Sequence, residues 1–123
     1  MEYSVDQIRR NLEIVGNRIK QASTRGDRDI ADIKLIVVTK SRSTNMIQKA
    51  INTGAVYLGE NYVEEAVAKK TEVGGDNQIE WHMIGHIQSR KARSVALNFD
   101  MIHSLDSLKL AVKLDRFSKE VKK

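Results

Sequence analysis

The segment Ile33-Lys34-Leu35-Ile36-Val37-Val38-Thr39-Lys40 carries a nearly continuous β-branched run from Ile33 to Val38. Such a run suits a strand buried on both faces, as in a parallel sheet. Upstream of it, Val5, Ile8, Leu12, Val15 and Ile19 recur at intervals of 3, 4, 3 and 4. That spacing is one apolar stripe of an amphipathic helix, with Ser4 in the N-cap position and Gly26 just past the end. Downstream, a strand–helix unit recurs in structure, though not in sequence. Ser43 or Thr44 caps a helix that buries Met46, Ile47, Ala50 and Ile51 and closes at Gly54. Ala55-Val56-Tyr57-Leu58 forms a second strand ending in Gly59-Glu60-Asn61, and the helix after it buries Tyr62, Val63, Ala66 and Val67 before the loop Gly74-Gly75-Asp76-Asn77. Ile79 to Ile84 is a third strand, broken by Gly85. It is followed by a helix with Ala92, Val95, Ala96 and Phe99 on one side. Met101-Ile102-His103 is the fourth strand, and Leu110, Leu114, Phe117 and Val121 mark the last helix.

Strands alternating with helices imply parallel pairing through right-handed crossovers. Two architectures satisfy that order: a small, open, doubly wound sheet, or part of a (β/α)8 barrel. A whole barrel takes ~250 residues, and this chain has 123. Four units would supply half of one.

Composition narrows the function classes. Lys and Arg number 21 against 16 Asp and Glu, a net charge of +5, with 41% hydrophobic and 30% charged residues. This is the balance of a soluble globular protein, and the length suits one domain over residues 1–123. The absence of Cys excludes a disulfide framework, a zinc knuckle and a thiol nucleophile. Met1 to Asp6 has neither a basic nor an apolar signal region, and the run Leu35–Val38 is far too short to span a bilayer. A cytoplasmic protein with no membrane association is expected. The positive charge is spread along the chain and includes Lys119, Lys122 and Lys123, which reads as a solvated helix face.

In either architecture the functional residues gather at the carboxyl ends of the strands. Those positions hold Thr39-Lys40, Glu60-Asn61, Gly85-His86 and Ser104. Lys40 is the most informative of them. A lysine partly desolvated at a strand rim has a lowered pKa and offers a neutral amine to a carbonyl, whereas one that snorkels into water does not. No P-loop and no dinucleotide-binding glycine motif occurs. His82 and His86 have zinc-helix spacing, but they lie on a strand reading and lack the accompanying Glu. Ser104, His103 and Asp106 include hydrolase residue types without a nucleophile elbow, so a helix cap by Ser104 or Asp106 is the simpler reading. The basic stretch Gln88 to Arg93 opens a helix and could meet an anion. No aromatic residue interleaves it, which disfavours nucleic-acid stacking.

Several segments occur together in one order: Val37-Val38-Thr39-Lys40, then Gly59-Glu60-Asn61-Tyr62-Val63-Glu64-Glu65, then Trp81-His82-Met83-Ile84-Gly85-His86-Ile87-Gln88-Ser89-Arg90-Lys91, then Ile102-His103-Ser104-Leu105-Asp106-Ser107. This resembles the pyridoxal-phosphate homeostasis proteins, which share the barrel fold of the alanine racemase N-terminal domain. The resemblance implies the N-terminal half of a pyridoxal 5′-phosphate (PLP)-binding (β/α)8 TIM-type barrel, with four parallel strands alternating with helices and an added N-terminal helix. It also implies that Lys40 forms the internal aldimine with PLP and that Asn61 lies near the cofactor, and it puts His86 at the same barrel mouth.

This sequence departs from the family pattern in three places. Ser43-Thr44 stands where a proline is common, and Arg90 replaces an asparagine. The chain also stops at Lys123, about where a fifth strand is expected, ahead of the loops that bind the phosphate in the family. The resemblance implies a PLP carrier in cofactor homeostasis without established turnover, its affinity weakened by that loss. PLP-dependent apoenzymes are the recipients it suggests. A racemase-type PLP enzyme is the alternative, and a basic nucleic-acid or protein interaction module is a remote one. A half-barrel also has two open edges, so self-association or pairing with a complementary half-barrel is expected.

Overall fold

The computed structural model describes residues 2–73 and 78–121. Helix α1 (Val5–Arg25) starts at a capping box: the Gln7 N–H donates to Ser4 Oγ at 3.1 Å, and the Ser4 N–H donates to Gln7 Oε1 at 2.7 Å. Gly26 closes it. The inward line runs through Ile8, Leu12, Gly16 and Ile19. Val15 is therefore exposed, one step off the expected stripe, because the helical period brings Gly16 to the seam instead.

Four strands follow among the described residues: β1 (Ile36–Val38), β2 (Tyr57–Glu60), β3 (Glu80–Met83) and β4 (Met101–Ile102). They pair in parallel in the order β1-β2-β3-β4, with Val38 opposite Gly59, Glu60 opposite Met83 and Met83 opposite Ile102. A doubly wound sheet would reverse its strand order at a switch point. Consecutive order is that of a barrel wall, so it selects the second architecture.

The helices lie between and after the strands: α2 (Thr44–Asn52), α3 (Val63–Val73), α4 (Ala92–Asn98) and α5 (Leu108–Glu120). Their apolar residues, Ile47, Ala66, Ala92, Val95 and Leu110 among them, form one core with Val37, Leu58, Trp81, Met83 and Ile102 of the sheet. Strand alternation assigns Ile36, Val38, Tyr57, Gly59, His82 and Met101 to the other face.

Several expected boundaries shift. β1 is shorter than Ile33–Val38, and Val38 is 49% exposed. Burial on both faces fails there because β1 is a sheet edge and Val38 lies on the face away from the helices. β2 begins two residues later than expected, since the Ala55 N–H still bonds to Ala50 O at the end of α2. α3 buries Val63, Ala66 and Lys69, while Tyr62 and Val67 are exposed. The buried line follows the i, i+3, i+6 positions, and a lysine takes its last place. In α4, all of Ala92, Val95, Ala96 and Phe99 are buried as expected. α5 is capped by Ser107, whose Oγ accepts the Leu110 N–H at 3.1 Å, and not by Ser104 or Asp106. The loop expected at 74–77, and Lys122 and Lys123 of the basic tail, lie outside the described residues. Among the described residues no helix is long and apolar enough to cross a membrane.

Candidate functional site

Past β1 the chain turns at Thr39-Lys40-Ser41-Arg42. The Arg42 N–H bonds back to Thr39 O at 3.1 Å, and Ser41 sits at φ 60. Lys40 is exposed on this turn, so the partial desolvation expected at the strand rim is not what the described residues provide. Thr39, in contrast, is buried.

Beneath the turn lies a charged cluster that the sequence reading missed. The Glu60 side chain is fully buried, and Lys69 reaches it from α3, with Nζ at 3.1 Å from Oε1 and 2.9 Å from Oε2. The same ammonium donates to Thr39 O at 2.6 Å and to Glu65 Oε1 at 2.7 Å. The Thr39 hydroxyl donates to Glu60 Oε2, and the Ser41 N–H donates to Glu65 Oε1 at 2.6 Å. The bond from Lys69 holds the Glu65 carboxyl below the usual glutamate range, against the opposing effect of burial and with help from the Ser41 amide. One signal for this cluster was available. Lys69 falls on the i, i+3 line of Val63 and Ala66, and Glu60 alternates with Leu58 onto the helix-facing side.

Asn61 and His86 come together. Both line a cleft of about 360 Å³ at the carboxyl ends of β2 and β3, together with Tyr62, Met83, Gln88 and Lys91. That volume lies within the ~300–1,000 Å³ typical of small-molecule sites. Asn61 Oδ1 is buried and has no hydrogen-bond partner among the described residues. His86 is largely exposed, its Nδ1 3.6 Å from Asp106 Oδ2. Lys91 Nζ lies 2.6 Å from Glu64 Oε1, and that hydrogen bond is the main influence lowering the Glu64 pKa. Lys40 is not on the cleft wall. Backbone pairing with β2 runs one residue past β1, to the Thr39 N–H bond with Gly59 O at 3.0 Å, and Lys40 follows it on the turn. Gly85 lets β3 pass close to Asn61, because a Cβ there would lie 2.6 Å from Asn61 O and 2.7 Å from its Cα.

The other histidines form a separate group. His82 is buried with Nδ1 2.8 Å from His103 Nε2, its ring stacked on that of His103 and edge-on to Tyr57. Burial lowers the His82 pKa, against the effect of the Glu80 carboxylate at 2.8 Å from Nε2. His82 and His86 do not converge, and among the described residues no group of His, Asp and Glu is arranged to hold a metal. The Ser104 hydroxyl donates to Gly85 O and so ties the ends of β4 and β3 together. Arg90 and Arg93 are exposed at the start of α4.

No family model matches the chain. Over 114 residues it is 37% identical to the pyridoxal phosphate homeostasis protein of Vibrio alginolyticus, covering 90% of this chain and 49% of that relative. Over 113 residues it is 39% identical to the protein of the same name from Escherichia coli K12, covering 90% and 48%. The chain is a relative of the pyridoxal phosphate homeostasis proteins. It spans about half the length of the curated relatives it matches. Among solved structures it is similar to PipY of Synechococcus elongatus with PLP bound, at TM-score 0.73 and 35% identity, covering 85% of this chain and 50% of that one. A protein of unknown function from Bifidobacterium adolescentis matches at TM-score 0.80 and 29% identity, covering 98% and 54%.

Proposed function

We propose that this chain binds pyridoxal 5′-phosphate as part of cofactor homeostasis in the cytoplasm. In this reading Lys40 is the residue that bonds the cofactor, and Asn61 and His86 stand beside it. The observation that carries the proposal is the buried Oδ1 of Asn61, without a hydrogen-bond partner among the described residues, on a residue that lines a cleft of cofactor size beside the β1–β2 strand ends that lead into Lys40 and Asn61. An unpaired polar atom in such a place is unfavourable until a ligand meets it. PLP supplies an aldehyde, whose condensation with a lysine amine forms one C=N bond and releases one water. Lys40 brings the amine on an accessible turn, Asn61 brings an acceptor for a ring substituent that donates, and His86 adds a titratable group at the mouth.

PLP relatives twice as long support the same reading. The test is an absorbance spectrum of the protein titrated with PLP, then borohydride reduction and peptide mapping. A new visible band and a label on Lys40, both lost in Lys40→Ala, are expected. Equal bands in both proteins would refute the assignment. Amino acids incubated with the loaded protein and followed by chiral detection separate a carrier, which leaves them unchanged, from a racemase.

The open edges support association, with itself or with a complementary half-barrel. Val38 on β1 and Met101 on β4 are exposed, as are Leu105 in the loop after β4 and Leu108 and Val112 on α5. Delivery of the cofactor to PLP-dependent apoenzymes completes the proposed role.

A further inference from the structure

We infer that Glu60, Lys69 and Glu65 act as positioning residues for Lys40, clamping the turn on both sides of it. This inference rests on the role proposed for Lys40. The carbonyl preceding Lys40, Thr39 O, accepts from Lys69 Nζ at 2.6 Å, and the amide following it, Ser41 N–H, donates to Glu65 Oε1 at 2.6 Å. The Thr39 side chain is held as well, by Glu60. Two peptide groups thus bracket a single exposed side chain, and both lead through one ammonium to the same pair of carboxylates.

Burial makes this a device rather than a surface ion pair. Glu60 is fully buried and Lys69 nearly so. Desolvating a carboxylate and an ammonium is costly, and an apolar pair would fill the same space with no loss of stability. What the ionic version adds is direction. Hydrogen bonds to charged groups are short and strongly oriented, and here the outward-pointing ones end on the Lys40 turn. Ser41 has φ 60, a left-handed conformation that a residue other than glycine rarely adopts and that must be held by its surroundings. The bond from its own N–H to Glu65 supplies that constraint. The β1–β2 ladder stops one residue before Lys40, at the Thr39 N–H bond to Gly59 O at 3.0 Å. The cluster takes over where the sheet stops.

The test uses the whole chain and two readouts. The first is amide exchange at Ser41. In the unmutated protein this amide should exchange at least about a hundredfold slower than a free peptide amide, despite sitting in an exposed turn. Exchange at the free rate overturns the inference whatever any variant does. The second is the rate at which PLP plus borohydride labels Lys40, relative to the summed labelling of the other lysines. Glu65→Ala removes the Ser41 acceptor but keeps the buried Glu60–Lys69 pair. It should speed Ser41 exchange and slow relative Lys40 labelling by about tenfold each, the scale of one hydrogen bond to a charged group. Glu65→Gln retains an acceptor oxygen for Ser41 and should restore most of both signals, which a bulk loss of stability would not allow. Lys40 labelling in Glu65→Ala at the rate of the unmutated protein refutes the positioning role. If Lys40 is unlabelled in the unmutated protein, the proposed function fails. The clamp is then decided by Ser41 exchange in Glu65→Ala, upheld by a tenfold rise and overturned by no change.

Discussion

Lys69→Met should be among the most damaging single substitutions in this chain, although it replaces a residue type that normally belongs on the surface. Methionine matches the length of the lysine stem but removes four hydrogen bonds: to Thr39 O at 2.6 Å, to Glu60 at 3.1 and 2.9 Å, and to Glu65 at 2.7 Å. Glu60 would remain fully buried with the Thr39 hydroxyl as its one side-chain partner. Breaking a buried pair from one side costs about 3–5 kcal/mol, because the remaining charge is left uncompensated. A domain holds only ~0.05–0.15 kcal/mol per residue, so that loss is a large fraction of the total. At roughly 3–6 °C per kcal/mol it corresponds to a fall in Tm of roughly 10–30 °C. The double variant Glu60→Gln/Lys69→Met removes both charges and should recover at least ~2 kcal/mol over the single one. Urea unfolding with linear extrapolation measures both quantities. A loss below ~1 kcal/mol in Lys69→Met, or a double variant no more stable than the single, would refute the claim that a dry ion pair holds α3 against the strand ends.

Gly85→Ala should cost ~1–3 kcal/mol by overpacking, since its Cβ meets the Asn61 backbone at 2.6 and 2.7 Å. Gly59→Ala should be milder, because its Cβ meets side-chain methyl groups, Ile36 Cγ2 at 2.9 Å and Ile84 Cδ1 at 3.0 Å, and not backbone. Thermal melts of the two would show equal losses if that distinction is wrong. His82, whose pKa is lowered by burial, takes up a proton more readily in the unfolded chain. Its contribution to stability is therefore present above the ordinary histidine value of ~6.5 and is lost as pH falls through the lower folded value. His82→Phe should flatten the loss of unfolding free energy between pH 7 and 5, and an unchanged slope would count against the burial argument. The exposed Met101 on β4 and Leu108 and Val112 on α5 predict concentration-dependent self-association. A compact monomer in sedimentation at micromolar concentration would exclude it.

The regular parts of the fold were legible because they are local. The Ser4 N-cap of α1, the buried set Ala92, Val95, Ala96 and Phe99, and the alternation of strands with helices each depend on residues a few positions apart. Properties set by distant neighbours were not legible. Val38 belongs to an apolar run, yet its exposure follows from what covers its face of the sheet, and no β-branched pattern encodes that. Tyr62 and Val67 look like core residues on hydrophobicity alone, and Lys69 does not. The inward line of α3 nevertheless ends in lysine because a buried carboxylate from β2 waits there. Recognising that required pairing residues 60 and 69 with Thr39, 21 positions upstream of Glu60.

The site divides along the same boundary. Lys40 and Asn61 stand out in the sequence as residues that follow strand ends, where a barrel wall gathers its functional groups. The cluster that holds Lys40 stayed hidden because it lies on the other side of the strand, toward the helices. This division has a physical cause. At the end of a parallel strand, alternation sends one residue to the face carrying the ligand and the next to the helix layer. Thr39 takes the second direction, and Glu60, Lys69 and Glu65 meet it there. A group that must stay accessible to a cofactor cannot itself be packed into place. Its position has to be fixed through its neighbours in the chain, and in the role proposed for Lys40 the buried charges do so from the helix-facing side of the strand.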